Sequence, residues 1–475
     1  MPVHQQQRYG PDVVDGDHGP SLRGTFTAFK TDNVLGAIVD DYRTLADALA
    51  ADVDAGRLRP GERLPTQRRF ARDRGIAVST ASRVYAELVR RGIAVGEVGR
   101  GTFVRARDPG PDLPDPADGR VDLELNFPVV DGQAEILARA VGPLLRADAL
   151  AAALAPVGVM GTPAARAAAA ATFARPGWAP DPDAIRFAGN GRQAVAAAVA
   201  ALVGVGGRLG VELLTYPVVR GIAARLGVRL VPLPVDDHGL VPDGVRDAGP
   251  LDAVYVQPTL HNPLGVTMPP RRRAELAAVL RERDLPCVED TVYAFLRDGP
   301  PPLVTWAPER TLVVDGLSKR LAPGLSVGIV VPPPAWAERV SAALRSGGWT
   351  ATGFALDATA RAMASGAVAE IEAAKRVDAA ARQALVRERI AVRADPAAYH
   401  CWWELPAPWR AETFVAAAAR LGIAVTPAAA FAVGPAHAPD AVRLALAAPP
   451  LPVLARALDR LAALARGAPG DDGIE

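Results

Sequence analysis

The chain has 475 residues, half of them apolar, and a net charge of +1; at roughly 150 residues per domain it is expected to form two to four domains with large cores. Near-neutrality excludes a nucleic-acid binder driven by its overall field, so such a partner has to be met by a local basic patch. Cys287 and Cys401 lie far apart and form no close ligand pair, and no run of ~18 uncharged apolar residues marks a membrane span. The expectation is a soluble cytoplasmic protein without a disulfide framework, a metal site or a membrane partner.

Residues 1–33 are polar and lack periodicity, which predicts a disordered arm. Residues 34–104 change character. Leu45, Ala48, Leu49 and Val53 recur at helical spacing, and Ala55–Gly61 reads as a turn. Thr66 offers an N-cap for a helix reaching Gly75, and Ser79 one for a helix ending near Gly92. Ile93–Val95 and Thr102–Val104 predict short strands joined around Gly96–Gly101. The sum is a winged helix-turn-helix. Arginines outnumber acids between Asp41 and Arg107, and the short side chains of Ser79, Thr80, Ala81 and Ser82 suit close approach to base edges in a major groove. Residues 105–120, rich in Pro, Asp and Gly, predict an extended linker.

From 121 to 475, helical stretches such as 194–202 and 271–283 alternate with apolar runs at 251–256, 287–288, 312–314 and 327–331. This predicts an α/β domain with a mostly parallel sheet covered by helices on both faces. Ligands collect at the carboxyl ends of such strands, where Asn262, Asp290 and Lys319 fall. Lysine is otherwise nearly absent: Lys30, Lys319 and Lys375 are the three present among 53 basic residues. Where arginine serves as the ordinary cation, a retained lysine suggests need of an amine, since a guanidinium cannot condense with an aldehyde.

Pyridoxal 5'-phosphate (PLP) would give each of these residues a task. Lys319 would form a Schiff base with its aldehyde, and Asp290 would keep its ring nitrogen protonated. Tyr293, one helical turn on, and Asn262, presented by Pro263 and Gly265, could donate to the ring oxygen. Tyr216 offers a face for stacking, and Gly189-Asn190-Gly191-Arg192 places amides and a helix N-terminus at the phosphate. Each motif alone is commonplace: a turn, a cap or a loop.

Together they carry two resemblances. Leu64-Pro65-Thr66-Gln67-Arg68, Val78–Leu88 and Gly99–Val104 resemble the GntR superfamily of regulators. The resemblance implies that Arg68, Ser79, Thr80 and Arg83 touch DNA and that Arg100 and Gly101 reach the minor groove; Val78 stands where many relatives have arginine. The series Asn190-Gly191, Tyr216, Asn262-Pro263-x-Gly265, Asp290-x-x-Tyr293, Ser318-Lys319 and Arg443 resembles fold-type I aminotransferases. It implies that Ser318 joins the cofactor site and that Arg443 binds a substrate carboxylate in two-pronged fashion. A GntR-like head on such a domain is similar to the MocR-type regulators, which implies double-stranded DNA as partner and a head-to-tail homodimer, one head over the other chain's large domain.

Three departures bear on the cofactor. Relatives carry Ser or Thr at Gly316, a phosphate-pairing arginine at Ser326, and Gln or Thr at Arg192. Losing a charge-assisted contact to phosphate costs on the order of 1.5–3 kcal/mol, or roughly ten- to a hundredfold in affinity. Arg192 or Arg320 would have to supply the charge. Three functions stay open: a regulator that senses PLP or an amino compound, an aminotransferase with a tethered head, and a cofactor-free DNA-binding dimer.

Overall fold

The computed structural model describes residues 42–55, 57–58, 61–91, 93–97, 101–104, 120–434 and 438–467. The expected arm, the linker up to residue 119 and Arg100 lie outside the described residues.

The head has three helices, Tyr42–Asp54, Gln67–Arg74 and Val78–Arg90, followed by the antiparallel strands Ala94–Glu97 and Gly101–Val104. Thr66 caps the second helix as expected, its hydroxyl accepting the Arg69 amide, and Gly75 ends it in the left-handed region at φ 65°. The third helix starts earlier than the sequence suggested: Ala77 is its first flanking residue, so Ser79 lies inside the first turn and caps nothing. Leu45, Leu49, Phe70, Val84, Tyr85 and Leu88 close a small core. The Tyr85 hydroxyl donates to the Pro65 carbonyl at 2.6 Å and its ring lies 5.5 Å from Phe70, which fixes the angle between the second and third helices.

The large sheet has seven strands, in spatial order Arg186–Ala188, Gly328–Val331, Thr311–Gly316, Cys287–Asp290, Ala253–Val256, Arg208–Glu212 and Arg229–Leu233. Gly328–Val331 pairs antiparallel with both neighbours, and the other pairs are parallel. The three central strands are buried at every position, as apolar runs covered on both faces should be. Asp290 ends one of them, and the turns that follow the others carry Lys319 and Asn262.

A second sheet of four strands runs His400–Glu404, Ala441–Ala445, Ile423–Pro427 and Val121–Leu123. The strand at 121–123 is the first element after the linker and pairs parallel with Ile423–Pro427. The helix Ala367–Arg387 joins the two sheets in sequence. Among the described residues no helix is long and apolar enough to cross a membrane.

Two glycines let the helix Gly191–Leu202 start against the sheet. A Cβ on Gly328 would meet the Asn190 carbonyl oxygen at 2.2 Å, and one on Gly316 would meet the Gly191 Cα at 3.2 Å. Gly316 therefore exchanges the hydroxyl of its relatives for closeness to the helix start. We expect Gly328→Ala to lower stability by about 1–3 kcal/mol in thermal or denaturant unfolding, because backbone atoms cannot yield. Gly324→Ala, whose Cβ meets nothing within 4 Å, should change it little.

Candidate cofactor and ligand site

Lys319 lies in the turn after the central strand Thr311–Gly316. Its Nζ donates to the Asn126 carbonyl at 2.6 Å and rests 3.5 Å from the centre of the Phe127 ring. Burial first, then the charges of Arg192 and Arg443, hold its pKa well below the usual lysine value. Such surroundings favour the uncharged amine, the form that can attack an aldehyde.

Asp290 faces the same cleft. Its Oδ2 accepts from the Tyr255 hydroxyl at 2.6 Å and from Gln257 Nε2 at 2.9 Å, and its Oδ1 accepts from the Val292 amide at 3.0 Å. Burial pushes its pKa up to about 6. Tyr255 and Gln257 escaped sequence reasoning, because their role depends on register: Val288 pairs with Tyr255 and Glu289 with Val256, which brings Gln257 beside Asp290.

One cleft brings together seven of the expected residues: Gly191, Arg192, Tyr216, Asp290, Tyr293, Ser318 and Lys319. Tyr216 stands at the start of the helix Pro217–Leu226, and its hydroxyl is hydrogen-bonded to Arg192. Tyr293 precedes a short 3-10 turn, Ala294–Leu296, instead of sitting in the expected α-helical turn. Its hydroxyl accepts from Asn126 Nδ2 at 3.3 Å, and the neutral His400 ring backs it at 5.4 Å.

Three expected residues, Asn190, Asn262 and Arg443, do not line the cleft. Asn190 turns its side chain inward to accept the Gln193 amide at 3.0 Å, capping its helix and leaving Gly191 and Arg192 to face the ligand. Asn262 is buried, its backbone N–H donating to Gln257 Oε1 at 3.3 Å while its side-chain Oδ1 lacks a partner. Arg443, on the small sheet, donates from Nη2 to Thr426 Oγ1 at 2.9 Å and to the Glu124 carbonyl at 2.6 Å, and lies over Phe431.

The phosphate end shows where the missing charge can come from. Ser326 leaves a buried hydroxyl without a partner. Arg320 is excluded as a substitute: it is fully buried between Phe173 and Phe295 and ion-paired with Asp315 and Glu372. Arg192, at the N-terminus of the helix Gly191–Leu202, keeps its place in the cleft. An amine, a carboxylate held by three donors and a helix N-terminus bearing an arginine together fit PLP.

In the head, Arg68, Ser79 and Arg83 are exposed and Thr80 is half-buried. Ser82 Oγ donates to Gln67 Oε1 at 2.7 Å, tying the second helix to the third. Gly101 opens the second wing strand at φ 126°, where a Cβ would meet Arg63 Nε at 2.8 Å.

Two domains with distinct chemistry thus share one chain: a winged helix with a basic face, and a fold-type I aminotransferase fold. Residues 41–104 match the bacterial regulatory proteins of the gntR family, and residues 147–461 match aminotransferase class I and II. The chain belongs to the class I and II aminotransferase family and carries a gntR-type DNA-binding domain, the MocR-type arrangement. It is 29% identical over 442 residues to the uncharacterized HTH-type transcriptional regulator YdeF of Bacillus subtilis, covering 86% of this chain and 90% of that protein. Over 141 residues it is 33% identical to the HTH-type pyridoxine biosynthesis transcriptional regulator PdxR of Corynebacterium glutamicum, 29% of this chain and 30% of that one. The fold matches the α-aminoadipate aminotransferase LysN of Thermus thermophilus with a TM-score of 0.65 at 21% identity, over 74% of this chain and 93% of that one.

Lys375 went unread in the sequence beyond its rarity. Its buried Nζ donates to the carbonyls of Lys319 at 3.0 Å and Leu321 at 2.6 Å, holding the turn that presents Lys319. Burial pushes its pKa down to about 7 from 10.5. Between those values the unfolded chain binds the extra proton, so this group's contribution to stability rises with pH, by up to about 1.4 kcal/mol per pH unit. We expect the melting temperature of wild type to gain on that of Lys375→Met between pH 7 and 9; parallel curves would contradict this.

Proposed function

We propose that this protein is a PLP-responsive transcriptional regulator: it binds double-stranded DNA through its winged helix and senses PLP, or an amino compound meeting PLP, in the aminotransferase-like domain. The observation that carries the reading is the Lys319 amine in one cleft with the buried Asp290 carboxylate, in a chain that also carries a gntR-type winged helix. Bound there, PLP would supply an aldehyde for which Lys319 and free amines compete and a ring that withdraws electrons when protonated. Asp290 would hold the proton on that ring nitrogen, Tyr216 would stack on the ring, Tyr293 would serve its oxygen, and Gly191, Arg192 and Ser318 would hold the phosphate. Arg443 takes a ligand carboxylate. On the DNA side, Arg68, Ser79, Thr80 and Arg83 meet the major groove and its phosphates, and Arg100 and Gly101 the minor groove.

The reading includes a cytoplasmic homodimer in which one head lies over the partner's large domain. Exposed apolar side chains at Leu145, Leu154 and Phe354 support self-association. A second reading, an active aminotransferase with a tethered head, is supported by Lys319, Asp290 and Tyr293 lining one cleft. It predicts that a panel of amino acids converts bound PLP to its amine form over many turnovers, whereas a sensor shows little or none.

The test is borohydride reduction of the full chain after PLP addition, followed by peptide mapping. A pyridoxyl label on Lys319, absent in Lys319→Ala, is expected; no label at saturating PLP would overturn the reading. Arg192→Gln should weaken PLP binding by about ten- to a hundredfold, as loss of a charged phosphate contact does. Arg83→Ala should weaken DNA binding and lower the slope of log affinity against log salt by about 1 if it meets a phosphate.

A further inference from the structure

Three groups that a ligand is expected to use are held by one short stretch of the chain itself. Lys319 Nζ donates to the Asn126 carbonyl at 2.6 Å and lies on the Phe127 ring. Arg443 Nη2 donates to the Glu124 carbonyl at 2.6 Å. The Tyr293 hydroxyl accepts from Asn126 Nδ2 at 3.3 Å. Asn126 is 4% exposed, and its side-chain oxygen has no partner.

A ligand displaces bonds of this kind. A carboxylate is a stronger acceptor for a guanidinium than a backbone carbonyl, so it outcompetes Glu124 at Arg443. Condensation of the Lys319 amine with an aldehyde forms a C=N bond and releases the aldehyde oxygen with two hydrogens as water. The nitrogen then has at most one hydrogen left, and that one is drawn to the ligand's own oxygen, not to Asn126.

We propose that residues 124–127 are a displaceable strap in which Asn126 and Phe127 contact the ligand at Lys319, and that release of the Glu124 and Asn126 carbonyls reports occupancy of the site to the DNA-binding head. The inference rests on the reading that this site takes PLP. The strap continues directly from the strand Val121–Leu123, which pairs with Ile423–Pro427 through Val121 with Ile423 and Leu123 with Val425. The helix Ala411–Arg420 leads into that second strand, and its start abuts the wing. The Arg410 guanidinium sits 5.3 Å from the centre of the Phe103 ring, and a Cβ on Gly61 would meet Thr413 Cγ2 at 2.9 Å. Movement of the strap thus reaches the head through the small sheet without crossing the large one. Transmission requires that PLP have different affinity for the two strap positions, which competition for Lys319 provides.

Hydrogen exchange of the full chain, with and without saturating PLP, tests the first step. The amides of Glu124 and Leu125 donate to Asp122 Oδ1 at 2.7 and 2.9 Å, so release of the strap should speed exchange in the peptide spanning 121–130. The second step is read from DNA affinity on a fragment selected by the protein from random sequence. Arg410→Gln should keep the borohydride label on Lys319 and bind DNA within about twofold of wild type without PLP, yet lose most of the PLP-induced change. Because Arg410 also opens its helix, Phe103→Leu is made beside it and should show the same loss in the ratio of affinities with and without PLP. Unchanged exchange in 121–130 with Lys319 fully labelled, or a full PLP response in both variants, overturns the strap and leaves the PLP site standing. Absence of the label overturns both.

Discussion

The structure around Lys319 keeps its amine from water and sets it beside other cations, the condition under which an amine can condense with an aldehyde. The turn bearing it leaves a fully buried strand, and a second buried amine, Lys375, grips the backbone of the same turn. The nearby charges of Arg192 and Arg443 add to desolvation in disfavouring the ammonium form. Asp290 works against them, but three donors hold it in place, and its own burial weakens its charge. In a chain that uses arginine almost everywhere, two of the three lysines meet at this one turn.

On the proposed reading, the phosphate end is a rearrangement of charge. Arg320 could have replaced the cation lost at Ser326, but it faces inward, neutralising Asp315 and Glu372 between two aromatic rings. Leaving either carboxylate buried without it would be costly, so Arg320 is committed to the fold. Arg192 instead stands where helix amides already favour an anion, and Gly316 and Gly328 let that helix start lie close to the sheet. The fold commits Arg320 to its buried ion pairs and leaves Arg192, not Arg320, in the cleft.

Much of this was legible before the structure. The apolar runs and helical periodicities located the head, the central strands and the strand ends near which Asn262, Asp290 and Lys319 fall, because burial on both faces leaves a pattern that needs no partner to be read. What depended on pairing was hidden. Tyr255 and Gln257 reach Asp290 only through the register of parallel strands, and the strap at 124–127 meets Lys319 and Arg443 across a long separation in sequence. Asn190 stands at its helix start, where its side chain caps the Gln193 amide and leaves Gly191 and Arg192 to line the cleft. Ser79 failed as a cap because the helix begins a turn's fraction earlier, at Val78.

The same strand that precedes the strap completes the sheet holding Arg443, so the two ends of the ligand site and the route to the head belong to one mechanical unit. Linkage requires that whatever factor PLP applies to DNA affinity, DNA applies to PLP affinity. The most direct measurement is therefore the dissociation constant of the full chain for a selected DNA fragment, taken with and without saturating PLP. A shift in that constant, abolished by Lys319→Ala, is the predicted result. An identical constant in both conditions, with Lys319 shown to be fully labelled, would contradict the account.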